Sequence, residues 1–331
     1  MSNKNFYSGV AILAEGSSSI GFGHIRRSLT LARELNGTLP VYLCLDLNGR
    51  ALDPKIKDLT ENLTLISENV HDIASDVMVL DLSPSSMKKR LSCKLNSSKI
   101  LCLDLFSQEF LPDITINLLD HSDQMRNAYA SLGRPHDYLE GSKYAVIRSE
   151  LVAHRPVTLK AGRELRNIVI SMGGADPSRR TLDALTDLNI SKDKSWSVTV
   201  ITGPLFSDDY QREIGMIAAT GTQILNAPSN YDQVLASADL VLCSGGGTLL
   251  ECMCLGKVAV VYPQSPAEEN HARFHADSRA CVMAKSLADV LLSEKIRREI
   301  SSCAYQQVDG LGAKRIATLV RRLALGSYLR Q

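Results

Sequence analysis

Short apolar, β-branched runs alternate along the chain with segments whose apolar residues recur every three or four positions. The runs predict strands at 7–14, 40–45, 63–66, 77–82, 99–105 and 114–119, and again at 167–172, 196–202, 222–225, 240–243, 258–262 and 281–284. Helical spacing predicts helices at 28–35, 178–188, 208–219, 231–237, 249–255, 267–279 and 287–301, with a last one at 313–325. Strand–helix alternation of this kind builds doubly wound parallel sheets, an α/β fold. Twelve strands exceed what one open sheet of this chain length holds, so two sheets in two domains are expected. The pattern lapses in the polar stretch 149–166 and restarts with a fresh strand, which puts a first domain at 1–155 and a second at 156–331. The final helix is of the kind that can cross back to the first domain.

The loops after these strands carry the candidate chemistry. Ile20-Gly21-Phe22-Gly23-His24-Ile25-Arg26-Arg27 follows the first strand and opens a helix, so Gly21 and Gly23 sit where backbone can approach a ligand closely. His24 would stand at the mouth of the sheet. In the second half, Gly173-Gly174-Ala175-Asp176-Pro177, Ser244-Gly245-Gly246-Gly247-Thr248 and Pro263-Gln264-Ser265-Pro266-Ala267-Glu268-Glu269-Asn270 all follow strands. They fall on the carboxyl edge, where open α/β sheets bind ligands. In Ser244–Thr248, successive small residues let N–H groups converge on an anion, and the helix start adds partial positive charge. A diphosphate suits it, with Glu251 within reach of a ribose diol. The same turn also reads as a tight packing turn with Glu251 in solvent; the two companion turns favour the ligand. No Walker A pattern is present, and Gly21-Phe22-Gly23 lacks the third glycine of a dinucleotide fingerprint, which disfavours a nicotinamide enzyme.

Composition narrows the partners. With 37 Lys plus Arg against 36 Asp plus Glu in 331 residues, the chain has no electrostatic footprint for nucleic acid or an anionic membrane. No apolar run approaches the roughly 20 residues of a membrane span, and the first residues lack a secretory pattern. A soluble cytoplasmic protein is expected. The eight cysteines, among them Cys44, Cys102 and Cys243 in strand-like runs and the Cys252-x-Cys254 pair, lack a zinc-site spacing and read as buried free thiols. His121, His136, His154 and His275 have no partner motif and are expected on the surface or in loops.

Six segments in order resemble one family. They are 20–32, Tyr144-Ala145-Val146-Ile147-Arg148-Ser149-Glu150, Gly173–Pro177, Ser244–Glu251, Glu269-Asn270-His271 and Asp309-Gly310-Leu311-Gly312-Ala313-Lys314-Arg315. Together they resemble the UDP-sugar hydrolases of pseudaminic acid synthesis and their spore-coat-polysaccharide relatives, distant kin of the peptidoglycan N-acetylglucosaminyltransferase. The resemblance implies a GT-B fold, two Rossmann-type domains with a cleft between them, and a UDP-sugar or other nucleotide-sugar substrate. It implies no metal and no cofactor. His24 would be the general base, with Gly21, Gly23, Arg27, Asp81, Asp104 and Arg148 on the sugar or acceptor side. Gly173, Gly174, Asp176, Ser244, Gly245, Gly246, Gly247, Thr248, Glu251, Glu269 and Asn270 would hold the nucleotide and diphosphate. The chain departs from the pattern in its first domain. Where the hydrolases carry Asp-His-Tyr it has Asp81-Leu82-Ser83, and a following Asp-Asp pair is reduced to Asp104-Leu105. Hydrolysis of a UDP-activated amino- or deoxy-sugar by water is the leading expectation. Transfer of the sugar to a glycan or lipid-linked acceptor is the alternative, and binding without turnover a third. Lys88-Lys89-Arg90 is the one candidate for a membrane-facing patch.

Overall fold

The computed structural model describes residues 5–16, 23–46, 60, 63–66, 73–83, 99–104, 112–118, 123–131, 137–159, 164–190 and 196–326. Gly21, His121, His136 and Lys88-Lys89-Arg90 lie outside them. The chain forms two compact units, Met1–Val146 with Leu311–Gln331, and Ile147–Gly310.

The first unit is built on strands β1 (Asn5–Glu15), β2 (Val41–Asp46), β3 (Thr64–Ile66), β4 (Ile73–Asp81), β5 (Lys99–Leu103), β6 (Ile114–Asn117) and β7 (Asp137–Glu140). All pair in parallel, in the order β3-β2-β1-β4-β5-β6-β7. β4 is buried along nearly its whole length, as a strand covered on both faces must be. Helix α1 (Gly23–Leu35) returns from β1 and buries Ile25, Ser28, Leu29, Leu31, Ala32 and Leu35, one face at helical spacing. Helix α2 (Asp123–Ser131) precedes β7. Neither α2 nor β7 is anticipated by the sequence pattern.

The second unit repeats the plan. Strands β8 (Asn167–Ser171), β9 (Ser197–Thr202), β10 (Gln223–Asn226), β11 (Leu240–Cys243), β12 (Val258–Val261) and β13 (Val282–Met283) run in parallel in the order β10-β9-β8-β11-β12-β13. Its helices are α3 (Ser149–Ala153), α4 (Arg180–Ile190), α5 (Asp208–Ile217), α6 (Tyr231–Ser237), α7 (Gly247–Cys254), α8 (Pro266–Asp277), α9 (Leu287–Leu292) and α10 (Glu294–Gln307). Ile168, Ile170, Val200, Leu240, Leu242, Val258 and Val260 form the centre of its core. The helix expected over 287–301 is two. Ser293 breaks it, its hydroxyl accepting the Ile296 N–H at 3.3 Å to cap α10.

Both sheets reverse strand order beside their first strand, at β1/β4 and at β8/β11. At such switch points the loops diverge and leave a crevice for a ligand.

The units divide at 146/147 and 310/311, where the sequence pattern puts one boundary at 155/156. Side-chain anchoring explains the difference. Arg155 donates to the carbonyls of Cys254, Val308 (2.6 Å) and Tyr305 (2.8 Å), tying the polar stretch to the second unit. The last helix, α11 (Gly312–Ala324), packs on α1 and buries Ile316, Ala317, Val320 and Leu323 in the first unit. Arg321 on α11 donates to Thr38 Oγ1 at 2.9 Å and to the Glu34 carbonyl at 2.6 Å. No described helix is long and apolar enough to cross a membrane.

Candidate functional site

In the first unit, the end of β4 delivers Asp81 to the first turns of α1. His24, Arg27 and Ser28 stand at i, i+3 and i+4 on one helix face, and all three reach the Asp81 carboxylate. His24 Nδ1 lies 2.6 Å from Oδ1; Arg27 gives Nε to Oδ2 at 2.8 Å and Nη2 to Oδ1 at 2.6 Å; Ser28 Oγ donates to Oδ2 at 2.9 Å. Arg27 Nη1 also pairs with Asp104, whose Oδ1 accepts the Leu118 N–H at 2.5 Å.

Electrostatics sets the protonation states. Burial pushes the Asp81 pKa up, but Arg27 first and His24 next outweigh it and hold the acid at about 2. Burial works against the Arg27 charge, and Asp81 and Asp104 more than restore it, holding its pKa above the ordinary value. An ionised Asp81 only accepts, so the proton of a neutral His24 sits on Nδ1. Arg27 Nη2 lies 3.2 Å from that nitrogen, and two donors do not bond. The lone pair is left on Nε2, which meets no partner among the described residues. His24 can therefore take a proton at Nε2 while Asp81 steadies the imidazolium that results.

In the second unit, three turns gather at the carboxyl ends of β8, β11 and β12. Gly173 has φ +88°, a left-handed conformation that favours glycine, and faces the side chains of Thr248 and Ser244. Gly246 caps α7 with no side-chain hydrogen bond, so no side chain covers the amide donors of the helix start. Glu268 occupies part of this turn. Its Oε2 accepts the N–H groups of Gly245 (3.1 Å) and Gln264 (2.8 Å), while burial pushes its pKa up against those bonds. Gln264 Nε2 donates to the Met172 carbonyl at 2.9 Å, and its Oε1, like Ser171 Oγ, is buried without a partner.

Glu251 sits one turn into α7, between Arg148 and Tyr231. Arg148 Nη2 donates to Oε1 at 2.9 Å, Tyr231 donates to Oε2 at 2.8 Å, and the guanidinium lies 4.6 Å from the Tyr231 ring centre. Burial opposes the Arg148 charge, yet Glu251 holds its pKa above the ordinary value; burial pushes Tyr231 well up.

Several expected contacts are engaged otherwise. Arg148, expected on the sugar side, is paired with Glu251, which was expected on the nucleotide side. Asp176 accepts the N–H groups of Arg180 and Thr181, each at 2.8 Å, and the Tyr210 hydroxyl at 2.6 Å, so it caps α4. Glu269 pairs with Arg273 on the exposed side of α8, and Asn270 is exposed. Helical geometry decides this: capping by Ser265 turns Glu268 toward Gly245, and the next residue points away. His275, expected on the surface, is buried. Its ring meets His271, which reaches the Gly245 carbonyl at 2.6 Å, and burial, with His271, lowers its pKa to about 4.

Glu268, Gln264, Tyr231 and Gly203 were not singled out by sequence. A Cβ on Gly203 would lie 2.4 Å from the carbonyl oxygens of Gly173 and Gly174, so the turn after β9 closes on the turn after β8. Its place directly after β9, in Thr202-Gly203-Pro204, was the available signal.

Known proteins share this architecture. Residues 166–304 match the glycosyltransferase family 28 C-terminal domain. The structure resembles MurG of Acinetobacter baumannii (TM-score 0.60, 12% identity, 95% of this chain and 99% of that one). It also resembles MnaA of S. aureus solved with UDP (TM-score 0.65, 9% identity, 97% and 98%). The fold is GT-B. In sequence the chain is 27% identical to MJ1062 of Methanocaldococcus jannaschii over 77% of its own length, and spans 56% of that relative. It is 21% identical to the spore coat polysaccharide biosynthesis protein SpsG of Bacillus subtilis, over 95% of this chain and 98% of that one. It is 27% identical to the UDP-2,4-diacetamido-2,4,6-trideoxy-beta-L-altropyranose hydrolase of Campylobacter jejuni, over 55% of this chain and 66% of the hydrolase. In fold the chain resembles glycosyltransferases, and its second unit carries the match to the family 28 C-terminal domain.

Proposed function

We propose that the protein cleaves the anomeric C–O bond of a UDP-activated amino- or deoxy-sugar with water as acceptor, as a step in making a bacterial surface glycan. The observation that carries this reading is the His24–Asp81 pair, a base whose tautomer is set by a buried, arginine-held carboxylate. Water loses its proton to His24 Nε2 as its oxygen bonds to the anomeric carbon, and the bond from that carbon to the diphosphate oxygen breaks. UDP leaves with the electron pair, and the free sugar is the second product. The second unit holds the nucleotide: the α7 start and the Gly173 turn take the diphosphate, stabilising the leaving charge with preorganised donors. Glu251, which Arg148 and Tyr231 hold in place, accepts from the ribose.

Transfer of the sugar to a glycan or lipid-linked hydroxyl is the second reading. It is favoured by the residues after Asp81, where Leu82 is buried and the Ser83 N–H is bonded to Glu15, in place of the His-Tyr of the hydrolases it resembles.

A panel of UDP-sugars, incubated without acceptor and followed by mass spectrometry, tests both. Hydrolysis predicts UDP and free sugar from one donor, and a fall of about 10²–10⁴-fold in that rate for His24→Ala with UDP affinity unchanged. Tight UDP binding without sugar release supports transfer. UDP-sugar consumption unchanged in His24→Ala would remove the base from the mechanism, and failure of UDP, CMP and GDP alike to bind would end the nucleotide-sugar reading.

A further inference from the structure

A cavity of about 370 Å³ opens at the amino-terminal ends of β11 and β12, between the end of α6, the loop from α7 to β12, helix α10 and the segment after α3. Every residue around it belongs to the second unit. It lies on the strand edge opposite the glycine turns, so it is separate from the proposed nucleotide site. We propose that this cavity is a second binding site, for a small hydroxylated phosphate ester of the sugar-phosphate kind.

The argument begins with Arg297 of α10, which lines the cavity and is 8% exposed. Its Nη1 donates to the carbonyls of Val290 (2.9 Å) and Leu291 (3.0 Å) at the end of α9. Its Nε is buried with no partner, and no described carboxylate pairs with it. The α9 carbonyls carry partial negative charge and account for Nη1. They leave the rest of the guanidinium without a counterion, a costly arrangement that a bound anion relieves. Lys257 supplies a second cation in the wall, its ammonium donating to the Ala236 carbonyl. Arginine and lysine are both common phosphate-binding side chains.

The remaining wall suits hydroxyl groups. Thr158, Ser237 and Ser301 line it; the Ser237 and Ser301 hydroxyls donate to the Val234 and Gly256 carbonyls, so their oxygens remain as acceptors, and the Asp239 carboxylate adds another, its Oδ2 taking the N–H groups of Arg166 and Asn167 at 3.0 and 2.9 Å. A carboxylate in the wall disfavours a bare anion and favours a ligand that also donates. The volume falls in the range of small-molecule pockets, about 300–1,000 Å³, with room for more than inorganic phosphate.

The test is an NMR titration of the full-length ¹⁵N-labelled protein at constant ionic strength, with glucose 6-phosphate, glycerol 3-phosphate, inorganic phosphate and glucose. The Arg297 Nε–H signal and the amides of Ala238, Asp239 and Lys257 are expected to shift saturably with both esters, more weakly with inorganic phosphate and not with glucose. Ser237→Glu sets a negative charge at an exposed rim position and is expected to weaken ester binding about tenfold without changing the rest of the spectrum; Arg297→Gln is expected to abolish it. No saturable shift at tens of millimolar ester, or an equal response in Ser237→Glu, overturns the proposal. UDP added to the same sample reports at residues 173 and 244–248, so a failure there is read separately.

Discussion

Asp81 concentrates the first unit's chemistry in one carboxylate that receives a histidine, an arginine and a serine at once. Replacing it by asparagine keeps the shape and removes the charge that sets the His24 tautomer. Asp81→Asn is therefore expected to lower the rate of UDP release by about 10²–10⁴-fold while leaving UDP affinity unchanged, as read by turnover and calorimetry. The same residue links stability to pH. Its folded pKa is about 2 against an ordinary 3.8, so the folded state releases this proton more readily than the unfolded chain. The resulting stability, about 2 kcal/mol, is fully present above about pH 4 and is lost as the pH falls toward and through 2. Urea unfolding across that window should show a shallower loss in Asp81→Asn than in the parent protein.

At the scale of elements, the second unit depends on turns packed backbone to backbone. A Cβ at Gly203 would meet the carbonyls of Gly173 and Gly174, and neither oxygen can retreat without moving the turn after β8. Gly203→Ala is expected to cost about 1–3 kcal/mol and to weaken UDP binding, measured by thermal unfolding and calorimetry. Gly247→Ala is the contrast. Its Cβ would meet nothing within 4 Å, and stability should change by less than about 0.5 kcal/mol. If both variants unfold alike, the close approach at Gly203 does not hold the turn.

At the scale of the whole molecule, α11 lies last in the chain yet completes the first unit. Ile316, Ala317, Val320 and Leu323 are buried there, each apolar side chain larger than alanine stabilising by about 1.5–3 kcal/mol. That total rivals the net stability of a domain. Truncation after Gly310 is expected to strip hydrogen-exchange protection from β1–β7 while β8–β13 stay protected and UDP still binds. Loss of protection in both units together would contradict a division at 310/311.

The alternation of strands and helices was legible because each buried strand is an apolar run and each helix an apolar stripe, signals that local spacing carries. So were the turns at Gly173 and Ser244–Thr248, since small residues after a strand mark close backbone approach. The α/β class and the GT-B fold followed from pattern and resemblance together. Which side chains meet across the sheet was not legible. That Asp81 steadies His24, that Arg148 serves Glu251, that Glu268 and not Glu269 faces Gly245, and that α11 belongs with the first unit are contacts between residues far apart in sequence. Strand register and helix phase decide them, and both are set only when the whole sheet packs.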